Sequence, residues 1–187
     1  MSEKGPVVAE IIDNVRRVFQ VVNEHSKQAE RRTGLTGPQL WAIKTIAEES
    51  PIRVSDIARR MYLHPATVVG ILDRLEQRGL LLRVRSMEDR RVVRVELTRA
   101  GEALVRRSPE VAQGLLVSGL ESLKISRLRV LARGLDQLVE ILGAQGLPPQ
   151  LILSPEVNNP RKGRTRRARQ EAMAPGPARQ TGMARRK

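Results

Sequence analysis

The hydrophobic period changes twice between residues 65 and 101, and this limits the fold more than any other feature of the chain. From Pro65 to about Arg78 the apolar residues Val68, Ile71, Leu72 and Leu75 recur at three- and four-residue steps, as on one face of a helix. Gly79 follows where a left-handed C-terminal cap belongs. The period then drops to two. Over 81–85 Val84 falls on one face and Arg83 and Arg85 on the other; over 91–97 Val93, Val95 and Leu97 oppose Val92, Arg94 and Glu96. The SMEDR between them predicts a hairpin tip, with the valines buried and the arginines projecting into solvent or onto a polyanion. Thr98 then suits the N-cap of a helix that opens Arg-Ala-Gly-Glu.

Upstream of the hairpin, a short strand over 52–54 precedes Ser55, which is read as the N-cap of a two-turn helix with Asp56 in its first turn and Ile57, Ala58 and Met61 inward. Tyr62-Leu63-His64 makes a tight connection, and Pro65 suits the first position of the next helix. Two short helices joined this way form a helix-turn-helix, beside which the hairpin is a wing. Residues 7–32 predict a long helix, with Val8, Ile11, Ile12, Val15, Val18, Phe19 and Val22 at helical spacing. Thr36, with Gln39 three residues on and Pro38 in the first turn, opens a second helix whose apolar face is Leu40, Ile43, Ile46 and Ala47. Ser50-Pro51 ends it, because a residue before proline is pushed out of the helical region.

Residues 99–145 are predicted helical, with a stripe of Leu128, Leu131, Leu135, Leu138 and Leu142. A winged unit needs only one helical face for its own core. Surplus apolar helices at both ends of the chain therefore predict a dimerisation layer, the plainer alternative being burial against the body. The fold class expected is mainly α with a small β wing. A winged helix-turn-helix lobe at about 36–98 would lie between dimerisation helices at about 7–32 and 99–145, forming one domain over 1–147; residues 148–187 are expected to be a Pro-containing linker and a disordered basic tail.

The formal net charge of +14 is unevenly spread. Residues 160–187 carry ten Lys/Arg and one acid, and residues 53–99 carry eleven bases and six acids, while the remaining flanks balance. The excess within the ordered body thus sits in the sector that holds the wing, which favours a polyanion partner. No stretch approaches the ~18 consecutive apolar residues of a membrane span. The first apolar run carries Glu10 and Asp13, unlike a signal peptide. A cytoplasmic, nucleoid-associated protein without a membrane partner is expected. The chain has no cysteine, which excludes disulfides, thiolate metal sites and thiol switches. Two histidines far apart and no clustered carboxylate pair leave no catalytic set, so neither an enzyme nor a cofactor or metal is expected.

The order of elements and the segments LDRLEQRGL (72–80), DRR (89–91) and VELTRAG (95–101) resemble the MarR family of bacterial transcriptional regulators, over about residues 10–145. The resemblance implies a homodimer on double-stranded DNA, most often a repressor at a pseudo-palindromic promoter site. Each subunit would set one recognition helix in a major groove and one wing in a flanking minor groove. It implies that Asp89 orients basic side chains at the wing tip and that Arg91 enters the minor groove, where a narrow A·T-rich groove concentrates negative potential. The recognition helix offers His64, Pro65, Ala66, Thr67, Val69, Gly70 and Arg74, with Thr67 suited to a thymine methyl or base edge and Arg74 to phosphate. Many relatives carry a polar or basic residue where Gly70 stands. Ser55, Arg85 and Arg90 complete the expected DNA-contacting set. Relatives also bind small phenolic or other aromatic acids in a cleft between the dimer helices and the lobe, which implies an effector site near Arg16, His25 and Trp41; a core tryptophan with surface charges is the plainer reading of those residues. Oxidant sensing through a thiol is ruled out by the absent cysteine.

Two other functions fit parts of the pattern. One is an architectural DNA-coating protein of low sequence specificity, given the basic tail. The other is a winged-helix adaptor whose basic sector faces an acidic protein.

Overall fold

A computed structural model describes residues 4–85 and 93–151. Ten elements run in order: α1 (Lys4–Thr33), α2 (Gly37–Glu48), β1 (Ile52–Arg53), α3 (Val54–Arg60), α4 (Pro65–Gln77), β2 (Leu81–Arg85), β3 (Val93–Leu97), α5 (Arg99–Arg106), α6 (Ala112–Glu121) and α7 (Ile125–Ile141). The three strands form one antiparallel sheet in the order β1-β3-β2. The fold is mainly α with a small β wing.

The core is aliphatic. Ile43 and Ile46 of α2, Ile57 of α3, Val68, Ile71, Leu72 and Leu75 of α4, Leu81 of β2 and Val95 of β3 are all fully buried in one cluster. α2 lies at its centre and is enclosed more completely than an amphipathic pattern implies. Ala42 and Thr45 are buried with Leu40, Ile43 and Ile46, whereas Ala47, assigned to the apolar face from sequence, is exposed. The helix begins with Thr36 and Gln39 in the expected capping-box arrangement, Gln39 Oε1 accepting from the Thr36 amide at 3.2 Å, and with Pro38 in the first turn.

Three further expectations are corrected. Ser55 is not a cap: α3 starts two residues earlier than a Ser55 cap would place it, its N-cap is Arg53 with no side-chain hydrogen bond, and Ser55 is exposed in the first turn. The pairing of Ile52 with Val95 extends β1 only to Arg53 and leads directly into the helix. The C-terminal region contains three helices separated by two breaks. The first break holds Ser108-Pro109, where proline lacks a donor and its ring excludes the helical conformation before it.

A further correction concerns the wing. Leu81 pairs with Leu97, Arg83 with Val95 and Arg85 with Val93, so these six residues share one face, and Leu82 and Val84 lie on the other with Arg94 and Glu96. Val84 is therefore half-exposed rather than docked, and Arg83 points along the inner face. Alternation reveals which residues share a face but not which face meets the core; the docking of Leu81 and Val95 decides that.

The Thr-Arg-Ala-Gly segment is a joint. The Thr98 hydroxyl donates to the Gly79 carbonyl at 2.7 Å and accepts from the Gly101 amide at 3.1 Å, so one side chain caps α5 and ties it to the turn after α4. Gly79 takes φ +68° there, in the left-handed region expected of it.

Candidate nucleic-acid interface

α4 is held from behind and open in front. Val68, Ile71, Leu72 and Leu75 fix its rear in the core. Pro65, Ala66 and Val69 are exposed on its front, with Thr67 and Gly70 half-exposed beside them. A Cβ at Gly70 would meet nothing within 4 Å, so this glycine leaves the front of the helix flat rather than serving internal packing. Arg74 is half-buried one turn further on.

The start of α4 is defined by Tyr62, expected only as part of a tight connection, and by His64, expected in that connection and as a DNA-contacting residue. Tyr62 turns the chain at φ +50°, and its hydroxyl donates to Glu121 Oε1 at 2.7 Å, linking the α3–α4 turn to α6. That carboxylate stabilises the neutral phenol and raises the Tyr62 pKa above its usual value. His64 is the N-cap, its Nδ1 accepting from the Ala66 amide at 3.3 Å. The ring proton then sits on Nε2, the one ring nitrogen free to donate outward. At the far end, Arg78 donates to the Gly34 carbonyl at 2.5 Å and braces α4 against the α1–α2 turn.

Arg83 clamps the wing to the same helix. Its guanidinium meets Asp73 Oδ1 and Glu76 Oε2, each at 2.7 Å, and its side chain is only 25% exposed. Two acids three residues apart lie on one side of a helix, so one planar fork can engage both. Arg83 is thus internally neutralised and belongs to the support of the interface. Arg85, two residues on, is exposed and adds charge to the surface. Asp89, Arg90 and Arg91 of the wing tip lie outside the described residues. Replacing Arg83 with Met is expected to cost about 1–2 kcal/mol, since it removes two charge-assisted hydrogen bonds in a partly shielded site and leaves two carboxylates adjacent. Arg85→Met should change stability by less than about 0.5 kcal/mol. Chemical denaturation of both variants checks the contrast, and equal costs would mean that the clamp does not hold the wing.

A cavity of about 520 Å3 lies between the lobe and α6. Trp41, Lys44, Thr45 and Glu48 of α2 line it, with Arg60 of α3, Glu110, and one side of α6 from Gly114 to Glu121. Of the three residues expected near an effector, Trp41 is on its wall. His25 is adjacent, with Nδ1 3.3 Å from the carbonyl oxygen of Glu110. Arg16 pairs with Asp13 on α1 and lines no part of it. Lys44, Arg60 and Glu121 were not anticipated, because they converge from three separate elements. Among the described residues no group of three or more His, Asp or Glu could hold a metal, and no helix is long and apolar enough to cross a membrane.

A recognition-type helix open on one face, a preceding helix across a tight turn and a clamped β-hairpin define a winged helix-turn-helix. The MarR family model matches residues 35–93, which take in α2, the helix-turn-helix and β2 and end at the first residue of β3. The organic hydroperoxide resistance transcriptional regulator of Bacillus subtilis (strain 168) is 32% identical over 111 residues, covering 59% of this chain and 74% of that protein. The transcriptional regulator MgrA of Staphylococcus aureus is 32% identical over 113 residues, covering 58% and 77%. For the transcriptional repressor MdtR of Bacillus subtilis (strain 168) the identity is 29% over 102 residues, covering 54% of this chain and 66% of that repressor. A solved MarR family protein from Bacillus stearothermophilus shares 29% identity with a TM-score of 0.47, covering 76% of this chain and 99% of that one. The chain belongs to the MarR family, whose members are transcriptional regulators rather than enzymes.

Proposed function

We propose that this chain is a homodimeric repressor that binds a pseudo-palindromic promoter site through α4 and the wing, and that a small ligand in the cavity beside Trp41 releases it. The observation that carries the reading is the presentation of α4: four buried side chains behind, and a flat, open front flanked by an arginine-rich hairpin. Such a helix fits a major groove, with its N-terminal residues His64, Ala66 and Thr67 nearest the base edges. The regulator domain spans 1–147 in this reading. Residues 148–187 add a basic arm that raises salt-sensitive affinity by counterion release.

The apolar surface supports a second copy. Val7, Val8, Ile11, Ile12, Val18 and Phe19 of α1 are 44–64% exposed, and α7 has no buried residue although Leu131, Leu135 and Val139 lie along it. Patches of this extent on a folded chain mark an interface, and two-fold pairing would make the operator palindromic.

The test is a fluorescence-anisotropy titration on DNA upstream of the protein's own coding region, beside scrambled DNA of equal length, over a salt series. A preference of about 10³ or more is expected. Equal and steeply salt-dependent binding would instead support an architectural protein. That second reading draws on the front of α4, where Pro65, Ala66, Val69 and Gly70 offer no side-chain hydrogen bonds to bases. Arg91→Ala should weaken specific binding by about tenfold, as loss of one minor-groove arginine would, without lowering thermal stability. Unchanged affinity would remove the wing from the binding surface.

A further inference from the structure

The cavity beside Trp41 has a charge character that its place in a strongly basic chain conceals. Among the described residues two cations line it, and both are already engaged. Lys44 Nζ lies 2.9 Å from Glu110 Oε1, and Arg60 is shared between Glu48, at 3.8 Å, and its neighbour Glu49. Against them stand Glu48, Glu110 and Glu121 on the wall itself. The third of these takes its hydrogen bond from a neutral group, the Tyr62 hydroxyl.

Backbone dipoles add to this balance. Thr45 and Glu48 are in the last turn of α2, Arg60 is the last residue of α3, and Ser118 and Glu121 are in the last turn of α6. Three helix C-termini therefore border the cavity, and the backbone dipole of each helix has its negative end on that side. The apolar part of the wall is supplied by Trp41 with Val111, Leu115 and Val117, and the indole packs against Gly114, where an added Cβ would lie 3.5 Å from Nε1. An indole near unbalanced carboxylates and helix C-termini suits a lipophilic cation, which gains from both the ring quadrupole and the local field. An aromatic acid would meet the same field with the opposite sign.

We infer that this cavity takes a lipophilic aromatic cation rather than an aromatic acid. The inference rests on the reading of the cavity as an effector site and adds the chemical class of the effector. It runs against the charge of the whole chain, which at +14 would by itself favour anions. Local groups win because exposed charges more than about 10 Å from a bound ion are screened by salt, whereas the carboxylates of the wall are not.

Trp41 is the only tryptophan in the chain, so its fluorescence reports this wall alone. The full chain is titrated with tetraphenylphosphonium and, separately, with tetraphenylborate, two ions of matched size and shape but opposite charge. Saturable quenching by the phosphonium is expected. The Glu48→Gln/Glu121→Gln pair should weaken it about tenfold through loss of two attracting charges beside the indole, and should strengthen borate binding. Both carboxylates are exposed, and the amide oxygen introduced by Glu121→Gln still accepts from Tyr62, so folding should be unaffected, as circular dichroism would verify. Tighter borate binding at Trp41 in the wild type, or a phosphonium affinity indifferent to the double substitution, overturns the assigned charge class and leaves the cavity as an effector site of another class. If neither ion perturbs Trp41 while promoter DNA is still bound specifically, the effector reading fails and this inference with it, but the DNA-binding reading stands.

Discussion

Gly101→Ala is expected to destabilise the protein by about 2 kcal/mol or more, although alanine is the better helix former. Gly101 lies in the first turn of α5, where exchange for alanine would ordinarily gain up to about 1 kcal/mol. Here the added Cβ would sit 2.1 Å from the carbonyl oxygen of Leu80 and 3.1 Å from its carbon. The obstacle is backbone and cannot rotate away. It is also engaged, since the Leu80 carbonyl accepts from the Thr98 amide at 3.2 Å. Relief requires α5 to move off the turn after α4, which strains the Thr98 contacts to Gly79 and Gly101 together. Overpacking against rigid groups costs about 1–3 kcal/mol and occasionally more, which exceeds the propensity gain. Thermal unfolding at fixed protein concentration should show a midpoint lower by roughly 4–8 °C. Gly70→Ala is the control of opposite sign: it meets nothing within 4 Å on an open helix face and should stabilise by about 0.5–1 kcal/mol. If both variants shift the midpoint upward, α5 does not pack on the turn as described.

Leu131→Glu with Leu135→Glu is expected to convert the proposed dimer to a folded monomer at micromolar concentration. Both side chains are exposed on α7, at 43% and 53%, so neither supports the lobe core and the monomer should keep its helical circular dichroism. A stable interface needs about 1,200–2,000 Å2 of buried surface, and two charges at its centre would be desolvated without partners. Affinity for a two-half-site operator should fall by about 10²–10⁴, because the second half-site would no longer be bound intramolecularly. Light scattering and DNA anisotropy on the same samples read both effects. An unchanged mass would place the pairing surface elsewhere.

Much of the lobe was legible in the sequence because its signals are local. Val68, Ile71, Leu72 and Leu75 mark the rear of α4 by spacing alone, Pro65 and Gly79 bound the helix, and Thr36-Gln39 and Thr98 are caps with short-range partners. Ser55 misleads because a good cap residue within the first turn of a helix resembles one at its start. The wing misled for a different reason: the partners of Arg83 are Asp73 and Glu76 on the preceding helix, and no alternation pattern shows that two carboxylates wait on the inner face.

By itself, then, the sequence determined the helix-turn-helix, the presence of a wing, the aliphatic core and the sector in which basic charge accumulates. Those follow from periodicity, capping and composition, which act over a few residues. Only the tertiary structure decided that Gly101 must be glycine, that Arg83 supports α4 while Arg85 lies on the surface, and that the cavity beside Trp41 is bordered by carboxylates and helix C-termini. Each of these is set by groups brought together from separate elements, where separations of about 2–4 Å determine packing and charge balance.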